Sequence, residues 1–109
     1  MTETPIQTAP TTSTPTLRRR AEIPTPQASR YLQQLCKHFQ HKIPVTFDPT
    51  EGRIEFSMGI SELRAEPAVL VLEVVARDPA DLPALEDVIA RHLVRFAFRE
   101  EIAIIWSDA

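Results

Sequence analysis

Apolar residues recur along this chain in two distinct rhythms. Ala28, Tyr31, Leu32, Leu35, Cys36 and Phe39 follow the i, i+3, i+4, i+7 spacing of one buried helical face. Leu82, Leu85, Val88, Ile89, His92, Leu93 and Phe96 repeat the pattern in a second segment. Elsewhere the period is two. Leu17, Ala21 and Ile23 share one face of a strand, Ile43, Val45 and Phe47 alternate in a second, and Ile54, Phe56 and Met58 alternate in a third. The run Ala68–Arg77, rich in valine and leucine, predicts a well-buried strand, and Glu101–Trp106 a final β-rich run.

Punctuation agrees with these rhythms. Pro24 and Pro26 end the first strand, and Thr25 or Pro26 opens the first helix, because proline is tolerated in a first helical turn. Pro44 forbids that helix from continuing much beyond Lys42. Asp48-Pro-Thr-Glu-Gly52 is a turn between two alternating runs, which predicts a β-hairpin. Residues 59–68 read as a connecting loop. Asp78-Pro-Ala-Asp81 breaks the valine-rich strand and supplies carboxylates to cap the second helix. The order β-α-β-β-β-α-β predicts an α+β fold, a two-layer sandwich with a mainly antiparallel sheet and two helices on one of its faces.

Residues 1–16 are rich in threonine and proline, with Ile6 as the single large apolar side chain, and cannot bury enough surface to offset the entropy of ordering. A disordered tail over 1–16 and one domain over 17–109 are expected. With 25% charged residues and a net charge of −3, the composition is that of an ordinary soluble protein and supplies no general attraction to nucleic acid. Arg18-Arg19-Arg20 is a local exception that reads as a solvated run on an edge strand. A single cysteine excludes an intramolecular disulfide and a multi-cysteine zinc cage. No apolar run reaches the ~18 residues of a membrane span, and the first residues lack the apolar centre of a secretory signal, so a cytoplasmic location is the simplest expectation. On the strand after Ala68, Leu70, Leu72, Val74 and Ala76 occupy one face, while Val69, Val71 and Val75 occupy the other around Glu73. A second apolar face calls for a cover, either the chain termini or another copy, hence the expectation of a homodimer.

The candidate chemistry is concentrated on the two helices. Cys36 and His38 are two residues apart, so they point about 160° away from one another on a helix and cannot share an ion. Cys36 then reads as a small buried hydrophobe. His38 and His41, about 60° apart, can face one ligand, yet two side chains do not make a tight metal site. His92 falls within an apolar stripe and must find a partner such as Glu100 or Glu73, or else, with Arg95 and Arg99, line a pocket for an anion. The ligand-binding candidates are therefore His38, His41, His92, Arg95 and Arg99, with His38, His41 and His92 as the metal candidates. There is no phosphate-binding glycine loop and no nucleophile–base signature, so nothing assigns a catalytic residue or a cofactor.

The stretch from Ala21 to Lys42, with Arg30, Tyr31, Leu35, Cys36, His38, His41 and Lys42, resembles the opening signature of the DUF2218 family, small bacterial proteins of unknown function. Gly52-Arg-Ile-Glu-Phe56 resembles its central turn and strand. His92-Leu-Val-Arg-Phe-Ala-Phe-Arg-Glu100 and Trp106 resemble its closing signature, through His92, Arg95, Phe96, Arg99 and Glu100. The resemblance spans about residues 17–107. It implies an accessory or binding domain near iron or siderophore metabolism, because some related domains are joined to siderophore-interacting, flavin-dependent ferric reductase-like proteins. A siderophore-interacting reductase or an iron-siderophore ligand is then the expected partner. A small enzyme using the same histidines and arginines, and a dimeric interaction module, are the rival expectations.

Overall fold

The structure is a computed structural model that describes residues 17–108, and the expected tail over residues 1–16 lies outside them. Strands β1 (Arg18–Pro24), β2 (Val45–Phe47), β3 (Glu51–Phe56), β4 (Gly59–Glu66), β5 (Val69–Ala76) and β6 (Ser107–Asp108) form one antiparallel sheet in the order β2-β3-β4-β5-β1-β6. Helices α1 (Ala28–Phe39) and α2 (Leu82–Phe96) cover one face of it. The α+β class and the order of elements are as the apolar rhythm predicts, with one strand added. No helix among the described residues is long and apolar enough to cross a membrane.

The added strand is β4, where a connecting loop was expected. Its inward residues are Gly59, Ser61, Leu63 and Ala65. The alternation is present but is written in small side chains, so a count of large hydrophobes passes over it. Their smallness has a physical reason. The two glycines of the chain lie directly beneath the helices. A Cβ on Gly52 would sit 2.7 Å from the Cys36 Sγ of α1, and one on Gly59 would lie 3.0 Å from Leu85 of α2 and 2.2 Å from the Val75 carbonyl oxygen. The sequence also places the last strand early. Residues 101–106 run irregularly, with Ile102, Ile104 and Trp106 packed on the core, and only Ser107 and Asp108 pair with β1.

Both faces of the sheet follow from period two. Ala21, Ile23, Leu70, Leu72 and Val74 point under the helices and are buried. Asp78 accepts from the Ala80 N–H at 2.9 Å and so caps the short turn (Pro79–Asp81) before α2, while Asp81, at the start of α2 itself, makes no side-chain capping bond, which corrects the expectation that these carboxylates cap the helix. The arginine triplet corrects the sequence reading in one respect. Strand β1 lies inside the sheet between β5 and β6, and the triplet divides between its faces. Arg19 lies toward α2, with its Nε 3.2 Å from Glu86. Arg18 and Arg20 stand on the open face and both pair with Glu73. Arg53 with Glu62 and Arg64 with Glu66 extend this lattice across the sheet. Among these charged side chains Val71 is only 3% exposed. On that second apolar face of β5, Val69 and Val75 remain partly exposed on either side of Val71.

The glycine contacts make a direct prediction. Gly52→Ala is expected to cost about 1–3 kcal/mol by overpacking against the Cys36 sulfur, and Cys36→Ala in the same chain to recover part of that loss. Gly59→Ala pushes chiefly against the backbone of Val75 and Ala76, which cannot swing aside, and is expected to cost more. Urea denaturation of the single and double variants measures both.

Candidate functional site

The helices pass each other in opposite directions. Tyr31, early in α1, meets Glu100 beyond the end of α2, while His38, late in α1, meets His92 one turn before that end. The apolar stripes bring this about, since Leu32, Leu35, Ile89 and Leu93 are each fully buried and fix how the helices rotate against the sheet. The result is a seam with a polar cluster at each end.

At one end, the His38 and His92 ring centroids lie 4.7 Å apart with the rings tilted by 47°. Phe39 stands edge-on at 4.9 Å from both, and Phe96 flanks His38 at 5.9 Å. The two helices therefore do bring these histidines together. The His92 Nδ1 lies 2.6 Å from the Val88 carbonyl oxygen one turn back. A carbonyl can only accept, so Nδ1 carries the proton and Nε2 is left with the lone pair in the neutral ring. This replaces the carboxylate partner expected for His92. Glu100 is held by Tyr31 and Thr25, and Glu73 sits on the far face of the sheet with Arg18 and Arg20.

His41 is placed differently from its helical expectation. Helix α1 ends at Phe39, and the N–H groups of Lys42 and Ile43 both return to the Phe39 carbonyl. His41 therefore lies in an exposed turn before Pro44, not one flank around from His38. Its charge is still felt. Loss of water around the ring holds the His38 pKa below its ordinary value, and the positive charges of His92, Lys42, Arg95 and His41 add to the effect. Among the described residues no group of three or more His, Cys, Asp or Glu side chains is arranged to hold a metal ion. Cys36 is sealed beneath α1 at 0% exposure, and burial pushes its thiol up to about 12, so it is an inert packing residue.

Arg95 and Arg99, expected along one wall, are divided by the end of α2. Arg95 is still helical and belongs with the histidine pair. Arg99 lies in the turn beyond, its guanidinium 5.4 Å from the centre of the Phe98 ring. It lines a cleft of about 520 Å³ at the other end of the seam, with Arg30, Tyr31, Phe96, Phe98 and Glu100. There Thr25 Oγ1 donates to Glu100 at 3.0 Å, the Tyr31 hydroxyl donates to the same carboxylate, and the Gln27 N–H donates to Thr25 Oγ1 at 3.0 Å. Burial raises the Tyr31 pKa, and the bond to Glu100 and its negative charge raise it further. Sequence reasoning missed Thr25, Arg30 and Tyr31 as members of a site. The available signal was a tyrosine inside an apolar stripe, whose hydroxyl requires a partner once buried.

The chain is thus a two-layer α+β domain with a cationic, histidine-bearing seam between its helices. It matches the family described as "Uncharacterized protein conserved in bacteria (DUF2218)" over residues 20–107, and it belongs to that family. It is similar to the NMR structure of PA4090 from Pseudomonas aeruginosa, with 34% sequence identity and a TM-score of 0.72 over 84% of this chain and 95% of that one. No curated protein matches it.

A pH dependence of stability follows from His38. An unfolded histidine takes up its proton near pH 6.5, and folded His38 does so only at lower pH. The unfolded chain binds the proton first as pH falls, so this contribution to stability is whole above about pH 6.5 and declines below it. The urea midpoint is expected to drop between pH 7 and pH 5, and His38→Gln to flatten that part of the profile.

Proposed function

We propose that this bacterial domain is a non-catalytic binding module for an anion, seated where α1 and α2 bring together His38, His92 and Arg95. The observation that carries this reading is the meeting of His38 and His92, their ring centroids 4.7 Å apart, on the flank of α2 that also carries Arg95. His92, Lys42, Arg95 and His41 all oppose the protonation of His38, and among the described residues no carboxylate pairs with Arg95 or Lys42. Such a place repels a bare divalent cation and attracts an anion. Imidazolium and guanidinium groups then supply charge-assisted hydrogen bonds, and Phe39 and Phe96 supply apolar walls.

Within that reading the ligand we favour is an anionic ferric siderophore chelate, handled together with a siderophore-interacting reductase. The contextual link of related domains to such reductases supports it. So does the chemistry of the ligand. A chelated ferric ion brings its own oxygen ligands and asks the protein only for positive charge and apolar contact, which a pair of histidines and an arginine provide without a triad of metal ligands.

Calorimetric titration with a ferric tris-catecholate complex tests the proposal. Binding is expected to tighten as pH is lowered below about 6.5, where His38 gains its proton, and to weaken roughly tenfold or more in His38→Ala and Arg95→Ala, the scale of a lost charge-assisted hydrogen bond. Zinc ion alone is expected to give no heat. Absence of chelate binding, or binding untouched by either substitution, overturns the reading.

A further inference from the structure

The cleft at the opposite end of the seam has a separate chemistry. Charge distinguishes it from another cleft of similar size. The larger, about 610 Å³, lies on the open face of the sheet, where Arg53 and Arg64 are already paired with Glu62 and Glu66. Its positive charge is spent within the sheet. The smaller, about 520 Å³, is flanked by Arg30 and Arg99, and among the described residues neither forms an ion pair. Its one carboxylate, Glu100, is turned instead to Tyr31 and Thr25, which are 5% and 3% exposed and so form a rigid polar floor. Two guanidinium groups against one carboxylate leave the cleft with a net positive charge.

The walls are aromatic. Phe96 and Tyr31 line the cleft together with Phe98, which is 76% exposed and stacks under the Arg99 guanidinium. An aromatic ring left this open to water beside a cation is the arrangement that a planar, negatively charged ligand completes. Its ring covers Phe98, and its charge meets Arg99 and Arg30. A cleft of this volume falls within the range of small-molecule sites.

We infer that this cleft binds a small aromatic carboxylate, with Arg30 and Arg99 holding the carboxylate group, Phe96 and Phe98 holding the ring, and the Tyr31–Glu100–Thr25 network fixing the floor. Phe96, which also flanks His38, is the one residue this site shares with the histidine pair; its charged groups are separate.

Benzoate serves as the probe, with acetate and inorganic phosphate as controls, read by amide chemical shifts of the isotope-labelled chain. At millimolar concentration benzoate is expected to shift Arg30, Phe98, Arg99 and Glu100, while acetate and phosphate leave them in place. Arg99→Ala and Phe98→Ala are expected to weaken benzoate roughly tenfold. Both side chains are exposed, so the variants keep the fold, which an unchanged urea midpoint verifies. Arg53→Ala, in the other cleft on the open face of the sheet, is expected to leave benzoate affinity unchanged. No shift at these residues overturns the inference. Equal shifts with phosphate overturn it in favour of an unselective anion site, and shifts centred on His38 and His92 overturn it by placing the ligand at the other end.

Discussion

Burial of two helical stripes on one sheet face is the constraint from which the rest of this structure follows. Leu32 and Leu35 of α1, and Leu85, Ile89 and Leu93 of α2, are fully removed from water against Ile23, Ile54, Leu70 and Leu72. Each such side chain contributes about 1.5–3 kcal/mol on burial, far more than any ion pair on the surface. Those residues set the rotation of each helix about its axis. Rotation in turn decides which flanking residues face the seam, and so why His38 meets His92 and why Tyr31 meets Glu100.

The seam has two ends of different character because the helices run in opposite directions and end at unequal heights. At the His38 end, α1 stops and α2 continues, so the polar groups are imidazoles on helical backbone with an arginine beside them. At the Tyr31 end, α2 stops, and a turn carrying Phe98, Arg99 and Glu100 folds over the start of α1. One end is held by ring packing and the other by a three-residue hydrogen-bond network. Charge is distributed accordingly. The open face of the sheet neutralises its arginines among its own glutamates, whereas the arginines and lysine of the seam remain available to an incoming group.

Much of this was legible in the sequence, and the exceptions share a cause. The two helical stripes, the hairpin turn at Asp48–Gly52 and the valine-rich strand announce themselves by period and punctuation. Strand β4 did not, because close helix approach demands small residues and small residues carry little hydrophobic signal. The histidine pair was visible as two candidates on two helices, but their meeting depends on relative helix placement, which no spacing within one helix encodes. His41 and Arg99 were misplaced for a simpler reason. Both follow the last residue of a helix, and extrapolating a 3.6-residue period past a helix end assigns a direction that the chain no longer has. Cys36 was read correctly because its position on the stripe was decisive.

Both clusters join residues that are far apart in sequence. Arg30, Tyr31 and His38 come from α1, whereas His92 and Arg95 come from α2 and Phe98, Arg99 and Glu100 from the turn after it. Thr25 and Glu100 stand 75 positions apart in sequence yet share a hydrogen bond, and β1 waits for β5 and β6 before both its edges are paired. A chain cut short anywhere before α2 therefore carries half of each cluster and completes neither. Neither cluster is a local feature of one helix; each exists only when α1 and α2 are packed side by side on the sheet.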